Sequence, residues 1–290
     1  ADFKRPDTID RSKVSAAALG GMTLKDGIRK GHIFVMDYRR ILEVGCTDAN
    51  YGSSPLAAFF TAAKSFTDMV PLAIQLFKGG PIYTPSDTAG NHWRCAKIFC
   101  QNSCSVAQDA VFHNLGMHWV NEAVYAAARR NFSTRHPLMQ IMLPHAWGTI
   151  NINETTRANL RSGGDGPLAV RNLGIDIGYK KVCAKAWQEF SWDHFDVPED
   201  IKRRGCDELQ HYSYKEDATT VYVMEMQYAK ELVEYFYNSD AEVVADEELQ
   251  AFVAECTGKC NIRGPRRRSP RARRCPSSSA RSSTTPPRVT

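Results

Sequence analysis

Between residues 93 and 131 the chain contains no Pro and a single Gly, Gly116, while Ala, Val, Met and Phe recur at helical spacing. The spacing predicts a helix longer than an ordinary surface helix. His113 and His118 stand on it, five residues apart. On a regular α-helix, five steps of about 100° set two side chains about 140° apart, too far round to share one metal ion. A helix widened to i→i+5 bonding returns them to roughly one face, where two imidazoles suit iron, zinc or copper. Two unrelated histidines, one buried and one exposed, are the other reading of this spacing.

The rest of the chain supplies fewer strands than helices. Residues 31–36 (Gly-His-Ile-Phe-Val-Met) read as a strand entered from a Gly turn, and residues 69–77 as a second short strand ending at Gly79-Gly80-Pro81. Residues 54–65, rich in Ala and Phe, read as helix. Residues 85–90 form a turn-rich loop, and residues 163–167 (Gly-Gly-Asp-Gly-Pro) a flexible one. Pro137 starts an apolar segment closed by Pro144, and residues 153–160 and 196–200 open short helices, the latter with an acidic first turn. Residues 222–237 and 246–256 read as two amphipathic helices.

Charge divides the chain in two. Residues 264–290 carry eight Arg, no Lys and no acidic residue, so the net +5 of the whole conceals a mildly acidic body of −3. That body gives no electrostatic reason to expect nucleic acid. The tail, mostly Arg, Ser, Pro and Thr, is too poor in apolar residues to offset its ordering entropy and reads as disordered. Its clusters Arg266–Arg268 and Arg271–Arg274 raise an RNA-binding reading, but clear Arg-Ser repeats and interleaved aromatics are missing. No apolar run approaches a membrane span. The start, Ala1-Asp2-Phe3-Lys4, lacks an initiator Met and a signal-peptide core and reads as cut from something longer. Nine Cys without a CxxC pair read as reduced thiols of a cytoplasmic protein.

From the long helix onward, Glu122, Ser133-Thr134-Arg135-His136-Pro137, Leu143-Pro144-His145 and Ile150-Asn151-Ile152-Asn153 resemble the catalytic domain of lipoxygenases. The lead-in Tyr83-Thr84-Pro85-Ser86-Asp87, the Pro198-Glu199 and Arg204-Gly205 turn, and residues 212–218 and 246–252 follow in family order. The resemblance runs over roughly residues 30–260. It implies a mainly α fold, part of the lipoxygenase helical catalytic domain, with a long iron-binding helix and few short strands. Residues 1–263 would be a partial catalytic domain and residues 264–290 a tail.

By the same resemblance the cofactor is non-haem iron, with His113 and His118 as two of its ligands. The substrates are a polyunsaturated fatty acid and O2: a hydrogen atom leaves a bis-allylic carbon, O2 adds, and a conjugated hydroperoxide results. Glu122, His136 and His145 match family residues that surround the metal without binding it. Thr155 falls where some relatives carry a basic substrate tether, and Arg157 is the basic residue nearby. A register that makes His118 the first ligand and Ala123 the second breaks the Glu122 and His136-Pro137 spacings. Gln108 replaces an upstream family His that is not a ligand.

The family's later ligands, a His-x-x-x-Asn pair and a C-terminal Ile, have no counterparts in this sequence, whose final His is His211 and final residue Thr290. The expectation is therefore a lipoxygenase with an incomplete iron sphere. Its alternative is a truncated, non-catalytic relative. The family's membrane-docking β-sandwich is not encoded, and His32, His92, His194 and His211 are read as ordinary surface or packing residues.

Overall fold

The computed structural model describes residues 17–45, 52–161 and 178–263. The Gly-rich loop at 163–167 and the basic tail lie outside the described residues. An antiparallel sheet of four strands in sequential order opens the fold: β1 (Ile33–Asp37), β2 (Leu56–Phe60), β3 (Val70–Gln75) and β4 (Ile82–Tyr83). Gly31, at φ 74°, turns the chain out of α1 (Leu24–Arg29) into β1, a left-handed conformation that favours glycine. β1 pairs β2 with Val35 opposite Ala58, and the β2–β3 register shifts at Ala58/Phe59.

β2 corrects the helical expectation for residues 54–65. Ala favours helix as an isolated residue, but β2 is a central strand covered on both faces. Small side chains there let the layers approach, and no alternation of polar and apolar residues marks the strand. Ala58 and Phe60 pack with Ile33, Val35 and Leu72 under α1. Ala57 joins Met36 and Ile74 on the opposite face, against Ala96, Cys100 and Val182 of the helices.

Those helices follow in order. α2 (Arg39–Leu42) is a short turn, α3 (His92–Ala107) continues into a π-helical segment (Gln108–Trp119), and α4 (Val120–Asn131) completes the long rod. Then come α5 (Pro137–His145), α6 (Thr149–Arg161), α7 (Lys180–Glu189), α8 (Val197–Arg203), α9 (Ser213–Phe236), α10 (Asp240–Ala245) and α11 (Glu247–Thr257). Asp196 caps α8 through the Glu199 N–H, and Asp246 caps α11 through the Leu249 N–H. α4 and α5 pack on α11 through Ala128, Phe132, Met139, Leu249 and Phe252. α9 begins nine residues before the expected start at 222 and has no buried residue; Met224, Tyr228 and Tyr235 all face outward. Among the described residues, no helix is long and apolar enough to cross a membrane.

Candidate metal centre

The π segment brings residues five apart into one row. Asn114 Nδ2 donates to Asp109 Oδ1 at 3.1 Å, five residues back, and the Val120 N–H reaches the Leu115 carbonyl. α7 packs along this segment, with Cys183 Sγ 3.7 Å from the Ala110 carbonyl. The widened turn brings His113 and His118 together edge-on, with rings at 75° and Nε2 to Nε2 at 3.1 Å. Phe112 and Met117, each one residue earlier, share the same spacing and are exposed.

A fully buried amide decides the chemistry of His118. Asn153, on α6, donates through Nδ2 to the His118 carbonyl at 3.1 Å and to Glu122 Oε2 at 2.7 Å. Both neighbours of Nδ2 are acceptors, so Oδ1 is the atom facing His118 Nδ1, 2.8 Å away. The amide can only accept there, which places the imidazole proton on Nδ1 and leaves Nε2 with a lone pair. His113 Nδ1 lies 3.6 Å from Asp109 Oδ1, beyond hydrogen-bond reach, so that carboxylate leaves the His113 proton free to sit on Nε2. At 3.1 Å the His118 lone pair accepts a hydrogen bond from His113 Nε2–H, and a cation between the two nitrogens would take the place of that proton.

Glu122 holds the amide in place. Arg157 Nη1 and Nη2 donate to its two oxygens at 2.8 and 3.0 Å, and the guanidinium lies 5.4 Å from the Trp119 ring centre. Burial alone would raise the Glu122 carboxyl, but the hydrogen bonds from Arg157 and Asn153 outweigh it and hold it below the usual carboxylate range.

The other sequence candidates lie apart from this pair. Thr155 is exposed and donates its hydroxyl to the Asn151 carbonyl of its own helix, at 3.0 Å. His136 is buried and stacks on Phe132. Its Nδ1 accepts from the Leu138 N–H, and its Nε2 donates to Asp246 Oδ2 at 3.0 Å. His145 ends α5 at the surface. Asn153 and Trp119 are residues the sequence reading gave no role. The Ile-Asn of the resemblance was the signal for Asn153, and adjacency to His118 the signal for Trp119.

Whether these residues suit an iron ion is a question of donor geometry. Nitrogens bound at about 2.1 Å in adjacent octahedral positions stand about 3 Å apart. The His113–His118 separation of 3.1 Å meets that requirement. Among the described residues, no third His, Cys, Asp or Glu joins them in a group able to hold a metal. The pair fits two positions of such an ion.

The lipoxygenase family model matches residues 4–262. The chain belongs to the lipoxygenase family. It is 29% identical over 248 residues to the rat 12R-type arachidonate 12-lipoxygenase, covering 83% of this chain and 35% of that one. A mouse hydroperoxide isomerase, ALOXE3, is 31% identical over 261 residues, covering 87% and 36%. The fold matches that of a calcium-dependent 11R-lipoxygenase with a TM-score of 0.76 at 24% identity, covering 88% of this chain and 39% of that one. A manganese lipoxygenase matches with a TM-score of 0.71 at 25% identity, covering 90% and 48%. This lipoxygenase chain spans about a third of the length of the curated relatives it matches, and its architecture is that of part of the helical catalytic domain.

Proposed function

We propose that the chain forms part of an iron-dependent dioxygenase that converts polyunsaturated fatty acids to hydroperoxides, with His113 and His118 as two of the iron ligands. The observation that carries this reading is the 3.1 Å convergence of two Nε2 atoms, one with its tautomer fixed by a buried amide. When bound, iron supplies the one-electron redox chemistry that oxidation of an unactivated CH2 requires. The chain's own residues do the rest of the work described here. Asn153 keeps the His118 proton on the ring nitrogen away from the metal position. Glu122 and Arg157 keep Asn153 from rotating. Ligands oriented in this way bind more tightly than freely rotating imidazoles.

The names of relatives support the substrate class: one is an arachidonate lipoxygenase, and a structural neighbour with a TM-score of 0.77 is a complex with arachidonate. Placement in the cytoplasm is part of this proposal and rests on the reduced-thiol reading of the nine Cys in the sequence. A second reading, a non-catalytic relative, is favoured by the two-ligand count among the described residues.

Iron content and hydroperoxide formation separate these readings. The full chain and a His113→Ala/His118→Ala variant are loaded with iron and assayed with linoleate and arachidonate. Near-stoichiometric iron lost in the variant, with conjugated hydroperoxide formed, supports the dioxygenase. Iron held without product supports the non-catalytic relative. A folded chain that takes up no iron overturns the metal assignment.

A further inference from the structure

Away from the histidine pair, three sulfur atoms meet in the core where β1 crosses α3. Cys100 and Cys104 lie one helical turn apart on α3 and pack in the same core cluster as Met36. Cys104 Sγ is 3.2 Å from Met36 Sδ. Met36 is 2% exposed and Cys100 6%, so both sulfurs are closed off from water, whereas Cys104 is half-buried and offers the route in. Neither thiol is oxidised.

We propose that Cys104, Cys100 and Met36 form a binding site for a soft monovalent cation, Cu(I). Thiolate and thioether donors select Cu(I) over harder ions. Sulfurs bound at about 2.3 Å around one three-coordinate ion stand about 4 Å apart. Cys104 and Met36 therefore need to part by under an ångström, within the range of the flexible Met side chain.

Charge selects the valence. The neighbouring Cys100 thiol holds the Cys104 thiol below its ordinary value, while Cys104 and burial push Cys100 far above. One thiolate forms readily and the second does not. A monovalent ion on one thiolate is neutral, whereas a divalent ion would leave net positive charge in an apolar core. Binding breaks the Cys104 S–H bond, forms a sulfur–copper bond and releases the proton to solvent, and no oxidation state changes.

Competition with bicinchoninate tests the site. Cu(I) is titrated anaerobically into the reduced full chain carrying His113→Ala and His118→Ala, which removes the imidazole pair as a competing ligand set. One retained equivalent is expected. Its affinity should fall at least tenfold on adding Met36→Leu, a near volume-conserving change, and be lost on adding Cys104→Ala, with circular dichroism checking the fold. No retained copper, or retained copper indifferent to both substitutions, overturns the proposal. Should Cys104→Ala fail to fold, alkylation of the same parent chain reads the site directly. Cu(I) should slow modification of Cys104 at least tenfold while the exposed Cys95 reacts unchanged, and equal rates at Cys104 with and without copper refute the site.

Discussion

The π segment and the α5–α11 junction each hold a histidine anchored through a ring nitrogen to a side chain of another element, with opposite consequences. At the junction, His136 uses both nitrogens within the protein. One accepts from the Leu138 N–H and the other meets Asp246, which also accepts from the Tyr237 hydroxyl at 2.6 Å. No lone pair of that ring is left for a ligand, and the residue acts as a rivet between helices. In the π segment His118 uses one nitrogen, and the second faces His113. The difference lies in the partner: a carboxylate and a backbone N–H consume both ring positions, whereas one amide oxygen consumes only Nδ1. A histidine becomes available for metal when its surroundings satisfy half of it.

Four experiments bear on this contrast. The largest effect is expected from His136→Ala, which removes the helix cap and strips Asp246 of a partner. It should lower stability by about 3 kcal/mol in denaturant unfolding, and a change below about 1 kcal/mol would break the comparison. Asn153→Leu follows, with about 2 kcal/mol lost because the Glu122 and His118 polar groups are stranded. The same variant should bind metal about 10- to 100-fold more weakly, and unchanged affinity would show that the tautomer is not set by Asn153.

Acid sharpens the comparison further. Burial raises the Asp246 carboxyl, but its bonds from Tyr237, the Leu249 N–H and His136 prevail and hold it low, as Arg157 and Asn153 do for Glu122. Each carboxyl is more acidic folded than unfolded, so its stabilisation is present above the usual carboxylate range. That contribution disappears as pH falls through the lower, folded value. Melting temperature against pH should therefore drop steeply in acid, and Asp246→Asn and Glu122→Gln should each flatten the drop while leaving less stability at neutral pH. Parallel acid limbs in parent and variants would contradict this. The smallest effect is expected from His113→Ala. Its side chain is 47% exposed, so stability should change by under about 0.5 kcal/mol while metal uptake is lost.

Local pattern carried some of this fold and missed the rest for identifiable reasons. The Gly31 turn and the run Ile33–Met36 announce β1, because a strand covered on both faces reads as continuous apolar sequence. β2 escaped for the same cause, since Ala57 and Ala58 show a helix-favouring residue where tertiary layering decides. The π widening was legible only as a condition under which His113 and His118 could meet. The bond between His136 and Asp246 spans 110 positions, and no spacing within either segment announces it. For α9 the amphipathic pattern was visible, yet none of its residues is buried within the described chain.

The π segment also constrains how this rod tolerates insertion and deletion. Each residue removed from a widened turn rotates everything beyond it by about 80°. Val120, Val124 and Ala127 of α4 are buried only in the phase that the π segment hands on. A single-residue deletion between positions 108 and 119 would thus separate the two imidazoles and swing the apolar stripe of α4 away from α11 together. Ligand pairing and core alignment are inherited as one trait, so drift in the length of this segment meets selection on both.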